Sequence, residues 1–94
     1  MFGTVARMRL KPGHEELFQQ LGGDIDQSPP PGFVSRVLYR SVDNPNEIWL
    51  AVVFESEQAY RDNAASPQQN EFYQRMVEHL EGAPEWHDGE VLAS

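Results

Sequence analysis

The chain has no cysteine and few basic residues: seven lysines and arginines stand against fifteen acidic side chains in 94 residues. Without cysteine there is no disulfide framework, no thiolate metal site and no cysteine nucleophile, and a short chain without such staples suits a reducing cytoplasm. A formal net charge of −8 argues against binding nucleic acid, because duplex binders draw most of their affinity from neutralising phosphates. An anionic membrane surface is disfavoured for the same reason. No segment approaches the roughly 20 consecutive apolar residues of a membrane span. Met1 to Leu10 alternates around Arg7 and Arg9 and contains no unbroken apolar run of the kind an export signal needs. The expectation is a cytoplasmic protein with neither nucleic acid nor membrane as a partner.

What is present is a hydrophobic content of 39% with 23% charged residues, enough for one core and one domain spanning residues 1–94. The acidic groups concentrate late. Nine of the fifteen follow residue 47, where only two basic residues occur, the pattern of solvated acidic helix faces.

Phe2 to Leu10 places Phe2, Ala6, Met8 and Leu10 on one side, interrupted by Thr4, with Val5, Arg7 and Arg9 on the other. That two-residue period is the signature of a strand. Lys11-Pro12-Gly13 breaks it, and Glu15 and Glu16 then open a helix whose apolar stripe is Leu17, Phe18, Leu21 and Ile25, with Gly22-Gly23 expected to end or fray it. Ser28 to Gly32 holds three prolines and reads as a stiff extended connection. Phe33 to Ser41 and Ile48 to Glu55 are rich in β-branched and aromatic residues, and Asp43-Asn44-Pro45-Asn46 between them is turn chemistry, so the two form a hairpin. The second of these strands is apolar on both faces and is expected to be central. Ser56 caps a helix carrying Ala59, Tyr60, Asn63 and Ala64. Ser66-Pro67 starts another, with Phe72, Tyr73, Met76, Val77 and Leu80 at helical spacing. Trp86 to Leu92 reads as a last strand with a bulge at Asp88-Gly89.

The order β-α-β-β-α-β is that of an α+β, ferredoxin-like fold, a four-stranded antiparallel sheet with its helices on one face. The other face, holding Val5, Trp49, Ala51 and Val53, then stands bare, and an apolar surface of that extent marks an association site. A homodimer packed sheet against sheet is expected.

Residues Ile48 to Tyr60, with Ala64-Ala65-Ser66-Pro67, Phe72, the Lys11-Pro12-Gly13 break and Pro31-Gly32-Phe33, resemble the antibiotic biosynthesis monooxygenase family over nearly the whole chain. The resemblance implies a dimeric α/β barrel and, for some of its members, a monooxygenase working on quinols or anthrones without a cofactor; other members have no assigned activity. Quinol-oxygenase members commonly carry an acidic residue, a tryptophan two positions on, and a histidine in the following helix. Here those places hold Val52, Phe54 and Asn63. In the haem-degrading branch a characteristic asparagine, tryptophan and histidine fall at Ala6 or Arg7, Asn63 and Met76, so haem degradation is not expected.

A cofactor-free oxygenase removes a proton from an electron-rich phenol or quinol and shields the radical pair that follows, which requires an apolar pocket with a few polar groups. Phe54, Phe72 and Met76, with Met8 and Phe18, are the expected walls. Tyr60, Asn63, Tyr73 and His79 are the expected donors or bases. Asn63 can hold a substrate oxygen or simply bond to backbone near Pro67, and His79 has a suitable intrinsic pKa yet sits between Glu78 and Glu81. His14 is expected to be exposed. Arg7, Arg9, Arg36 and Arg40 are expected to bind an anionic substrate within the dimer, to make ion pairs with the acidic helices or to rim the interface. His87, Asp88 and Glu90 lack the spacing of familiar metal sites. The expected activity is a cofactor-independent oxidation of a small aromatic substrate. The alternative is a catalytically inert dimeric module that binds a small apolar ligand or serves as an assembly unit.

Overall fold

Strand β1 (Phe2–Arg9) buries Thr4, Ala6 and Met8 on one face and exposes Val5, Arg7 and Arg9 on the other. The period seen in the sequence is therefore the period of burial. The computed structural model describes the backbone of residues 1–27 and 29–93, and the side chains of these except residues 22–27. After β1 come α1 (Glu15–Gln27), β2 (Phe33–Arg40), β3 (Glu47–Phe54), α2 (Glu57–Ala64), α3 (Pro67–Val77) and β4 (Glu85–Glu90). The strands form one antiparallel sheet in the order β2-β3-β1-β4, the ferredoxin-like α+β arrangement.

The inward residues of the central strands meet the helices. Met8, Leu10 and Ile48 pack with Phe18 and Leu21 of α1, Met76 of α3, and Leu80 just beyond it, forming the buried core. The helices thus lie on the face that carries the even-numbered residues of β1. Ser56 accepts a hydrogen bond from the Ala59 amide at 3.1 Å and Ser66 one from the Gln69 amide at 3.1 Å, so each short helix begins at its own cap, with Pro67 in the first turn of α3.

Two local expectations are corrected. Helix α1 runs through Gly22-Gly23 to Gln27: glycine costs about 1 kcal/mol against alanine in a helix, and the packing of Phe18 and Leu21 outweighs it. The Ile25 side chain and Ser28 fall outside the described residues. Strand β4 keeps unbroken register with β1 from Glu85 to Glu90 and carries no bulge. The irregularity lies in β2, between Phe33 and Ser35, where Val34 is the extra residue. Gly32, at φ +79, turns the chain into that strand, and its carbonyl accepts the Glu55 amide at 2.8 Å.

Among the described residues nothing covers the outward face of the sheet. Val5, Val37 and Tyr39 are exposed there, and the register sets Val5 against Ala51 and His87, and Val37 against Ala51. Arg7, on the same face, pairs with Glu47 and lies 4.0 Å from Glu85, its guanidinium 6.0 Å from the Trp49 ring. Its partners are acidic residues of the neighbouring strands and not of the helices.

Candidate active site

Leu38, Leu50 and Val52 point to the helix side of the sheet yet are only half-buried, because the helices do not close over the β2–β3 end. The space left is a cavity of about 1020 Å³ between sheet and helices. Phe18, Leu38, Leu50, Phe54, Phe72 and Met76 supply its apolar walls, and Thr4, Arg36, Tyr60, Asn63, Gln69 and Asp88 supply polar groups. Aromatic rings brace two sides. Tyr60 lies 5.2 Å from Phe2 and 5.8 Å from Phe54, Phe54 lies 6.0 Å from Phe33, and Tyr73 lies 6.4 Å from Trp86, all between centroids. These are edge-on or tilted arrangements of the kind aromatic pairs favour.

Seven of the nine residues expected at the site meet at this cavity: Phe18, Phe54, Tyr60, Asn63, Phe72, Tyr73 and Met76. Asn63 sits in the last turn of α2, where the chain breaks towards α3, and its amide donates to Gln69 Oε1 at 3.4 Å, the long end of the hydrogen-bonding range. Its backbone carbonyl accepts from the Ser66 hydroxyl at 2.8 Å. Met8, expected in the walls, belongs to the closed core.

His79 also lies elsewhere. Its Nδ1 faces the Nδ1 of His14 at 3.0 Å, and it borders a separate shallow depression with Leu17, Gln20, Leu21 and Arg75. The Lys11 amide donates to the His79 carbonyl at 2.9 Å, which draws the β1–α1 connection against the end of α3. His14 is half-buried by this contact and not exposed. His87 lies on the outward face with its Nε2 3.0 Å from Glu85 Oε1, while Asp88, one residue on, faces the cavity, as alternation along a strand requires. Among the described residues no group of three or more histidines and carboxylates is placed to hold a metal ion.

Several cavity residues were not anticipated, Thr4 and Asp88 among them. Thr4 and Asp88 are register partners across β1 and β4, so their side chains lie side by side on the helix face. The Tyr60 hydroxyl donates to Asp88 Oδ1 at 2.8 Å. Burial, the hydrogen bond to Asp88 and the charge of its carboxylate push the Tyr60 pKa up to about 12, against a partial offset from the nearby Thr4 hydroxyl and Arg61. Thr4 itself is 5% exposed, and its Oγ1 stands near Tyr60 without closing a hydrogen bond to any described group. A buried hydroxyl left unpaired costs about 1–3 kcal/mol. The sequence carried one signal for each residue. Thr4 interrupts the apolar face of β1, and Asp88 shares its strand face with Trp86.

The family model for antibiotic biosynthesis monooxygenases matches residues 1–75. No curated protein matches the chain significantly in sequence. Among solved structures, SnoaB, a cofactor-independent oxygenase from Streptomyces nogalater determined as a mutant, is 19% identical with a TM-score of 0.83, covering 99% of this chain and 94% of that one. A conserved protein from Methanosarcina mazei Go1 is 18% identical with a TM-score of 0.82, covering 94% and 89%. At such identities the likeness is one of fold. The sheet order, the cavity behind it and the family match over residues 1–75 agree, and this chain belongs to the antibiotic biosynthesis monooxygenase family.

Proposed function

We propose that the protein is a cofactor-independent monooxygenase that oxidises a small aromatic substrate of the quinol or anthrone type in the cavity between sheet and helices. The observation that carries this reading is the cavity itself: about 1020 Å³, with aromatic and aliphatic walls and a few polar groups. That composition is what an apolar ring system carrying one or two oxygens needs.

The chemistry is compact. Loss of a proton gives the substrate anion, which passes one electron to dioxygen. The substrate radical and superoxide combine at carbon, and the hydroperoxide formed loses water to leave a carbonyl, so that one CH₂ and one O₂ become one C=O and one H₂O. The apolar walls keep bulk water from the radical pair. Asn63 is proposed to hold the substrate oxygen as charge develops on it, and Tyr73 to offer a second hydroxyl contact. Tyr60, Phe54, Phe72 and Met76 are proposed to clasp the ring. His79, across the core beside His14, is given no part in these steps.

The active species is proposed to be a homodimer joined through the outward sheet face, where Val5, Val37 and Tyr39 are exposed together. The second reading is an inert module that binds an apolar ligand in the same cavity, favoured by Val52, Phe54 and Asn63 at places where quinol-oxygenase relatives carry acidic, tryptophan and histidine side chains. Oxygen uptake by the purified protein with anthrone or a reduced naphthoquinone in air separates the two. A rate well above the protein-free control is expected, and no enhancement across a panel of such substrates supports the module.

A further inference from the structure

We infer that Asp88 is the base of the reaction: its carboxylate takes the proton from the substrate carbon before dioxygen reacts and returns it to the peroxide afterwards. This rests on the reading of the cavity as the site of an oxygenase, and it supplies the proton acceptor which that reading requires.

The oxidation begins with loss of a proton, and His79, the expected base, stands at a different depression. Among the described residues no histidine lines the cavity, and its only anionic side chains are Asp62 and Asp88. Arginine has no acceptor atom, and the hydroxyls and amides on the wall do not hold a further proton near neutrality. A carboxylate is the group left to accept it.

The two carboxylates differ in setting. Asp62 is on α2 and accepts from Gln58 Nε2 at 2.7 Å, an exposed pairing one turn apart on the same helix. Asp88 projects from the sheet, register partner of Thr4 on the face that carries the apolar walls, and Tyr60 holds its Oδ1 at 2.8 Å. A carboxylate keeps acceptor sites after one such bond, so Asp88 is fixed in place and still able to take a proton. Tyr60 lies three residues before Asn63 on α2, on the same side of the helix, and both border the cavity. A substrate whose oxygen is held by Asn63 therefore has its ring alongside the Tyr60–Asp88 pair. An aspartate is an effective base towards a carbon acid when a donor stabilises the oxygen that takes up the charge. On an anthrone, Asn63 meets the carbonyl oxygen and Asp88 the methylene group opposite it.

The protons balance on this one residue. Asp88 takes one methylene proton, and the C–H electron pair moves into the enolate. After dioxygen has joined at that carbon, the carboxylic acid returns the proton to the peroxide oxygen. Asp88 then removes the second C–H proton as the O–O bond breaks, the C=O forms, and the departing hydroxide takes that proton to become water.

The test is proton exchange without oxygen: anthrone in D₂O under argon, with loss of its methylene signal followed by proton nuclear magnetic resonance. The wild-type protein is expected to exchange the methylene hydrogens faster than the protein-free control. Asp88→Asn, whose amide oxygen can still accept from Tyr60 but takes no proton, should lower that rate by about 100-fold or more, the contribution of a positioned general base. Its anthrone affinity and circular dichroism spectrum should be unchanged, and Asp88→Glu should recover part of the loss. No enhancement by the wild type, wild-type exchange in Asp88→Asn, or a loss in Asp62→Asn that Asp88→Asn does not share overturns the assignment. Asp88-dependent exchange without oxygen uptake in air would keep the base and remove the oxygenase reading. Oxygen uptake and exchange both at wild-type rates in Asp88→Asn would do the reverse.

Discussion

The Tyr60 hydroxyl donates to Asp88 Oδ1 at 2.8 Å, a contact that ties α2 to the edge strand β4 beside the cavity. Because burial and the Asp88 carboxylate raise the Tyr60 pKa to about 12, the phenol keeps its proton in the folded chain where an unfolded tyrosine has lost it. The folded state therefore binds the extra proton between the unfolded value near 10 and about 12. Stability from this group is present below pH ~10 and declines as pH rises through that window. An ultraviolet titration of the three tyrosines should show one ionising late, absent in Tyr60→Phe. In Asp88→Asn that late step should move down towards 10. A late step untouched by Asp88→Asn would mean that the carboxylate plays no part in it.

Asn63→Ala should lower the oxidation rate by about 100- to 1000-fold, in line with loss of one preorganised donor to a developing oxyanion. Its far-ultraviolet circular dichroism should stay the same, because the side chain gives up only one long hydrogen bond to Gln69. Tyr73→Phe should cost less, as the ring keeps its place 6.4 Å from Trp86. Steady-state oxygen uptake on anthrone measures both, and wild-type rates in both variants would take these residues out of the reaction.

Ala51 lies at the middle of the bare sheet face, register partner of Val5 on one side and Val37 on the other. Sedimentation velocity at micromolar concentration should find the wild type as a dimer. Ala51→Glu, which would set a charge among apolar neighbours on both partners at once, should sediment as a monomer with unchanged secondary structure. A monomeric wild type would dismiss the face-to-face pairing.

Gly3 and Gly89 are register partners on β1 and β4, yet they should respond differently to alanine. A methyl group on Gly3 would stand 2.0 Å from the Val52 carbonyl oxygen, which is backbone and cannot swing away, whereas one on Gly89 meets nothing within 4 Å. Gly3→Ala is expected to cost about 3 kcal/mol or more, the upper end for overpacking, and so to lower Tm by roughly 12–24 °C in a domain of this size. Gly89→Ala should change stability by less than about 1 kcal/mol. Calorimetry of the pair decides it, and similar Tm values would contradict the close approach at Gly3.

Much of the architecture was legible because it is written in short-range periods. The alternation of Phe2 to Leu10, the Ser56 and Ser66 caps, the turn chemistry of Asp43 to Asn46 and the helical spacing of Phe72 to Leu80 each act within a few residues. Their order alone names the fold. The seven expected residues that meet at the cavity follow from the same patterns, since a helix stripe and a strand face that both turn inward must confront each other. Gly22-Gly23 misled because propensity is local and weak, whereas the packing of Phe18 and Leu21 that holds α1 together is not.

Composition, hydrophobic period and capping chemistry by themselves determined which segments are strands and helices, which face of each is apolar, and that one face of the sheet is left without a cover. Only the tertiary structure decided which polar groups meet. Strand register sets Asp88 beside Thr4, the docking of α2 brings Tyr60 to a carboxylate 28 residues further along, and closure of the β1–α1 connection sets His14 against a histidine 65 residues away. The reason is physical: side-chain direction is a property of a few neighbouring residues, but proximity across a sheet depends on register and helix docking, which the whole chain settles together.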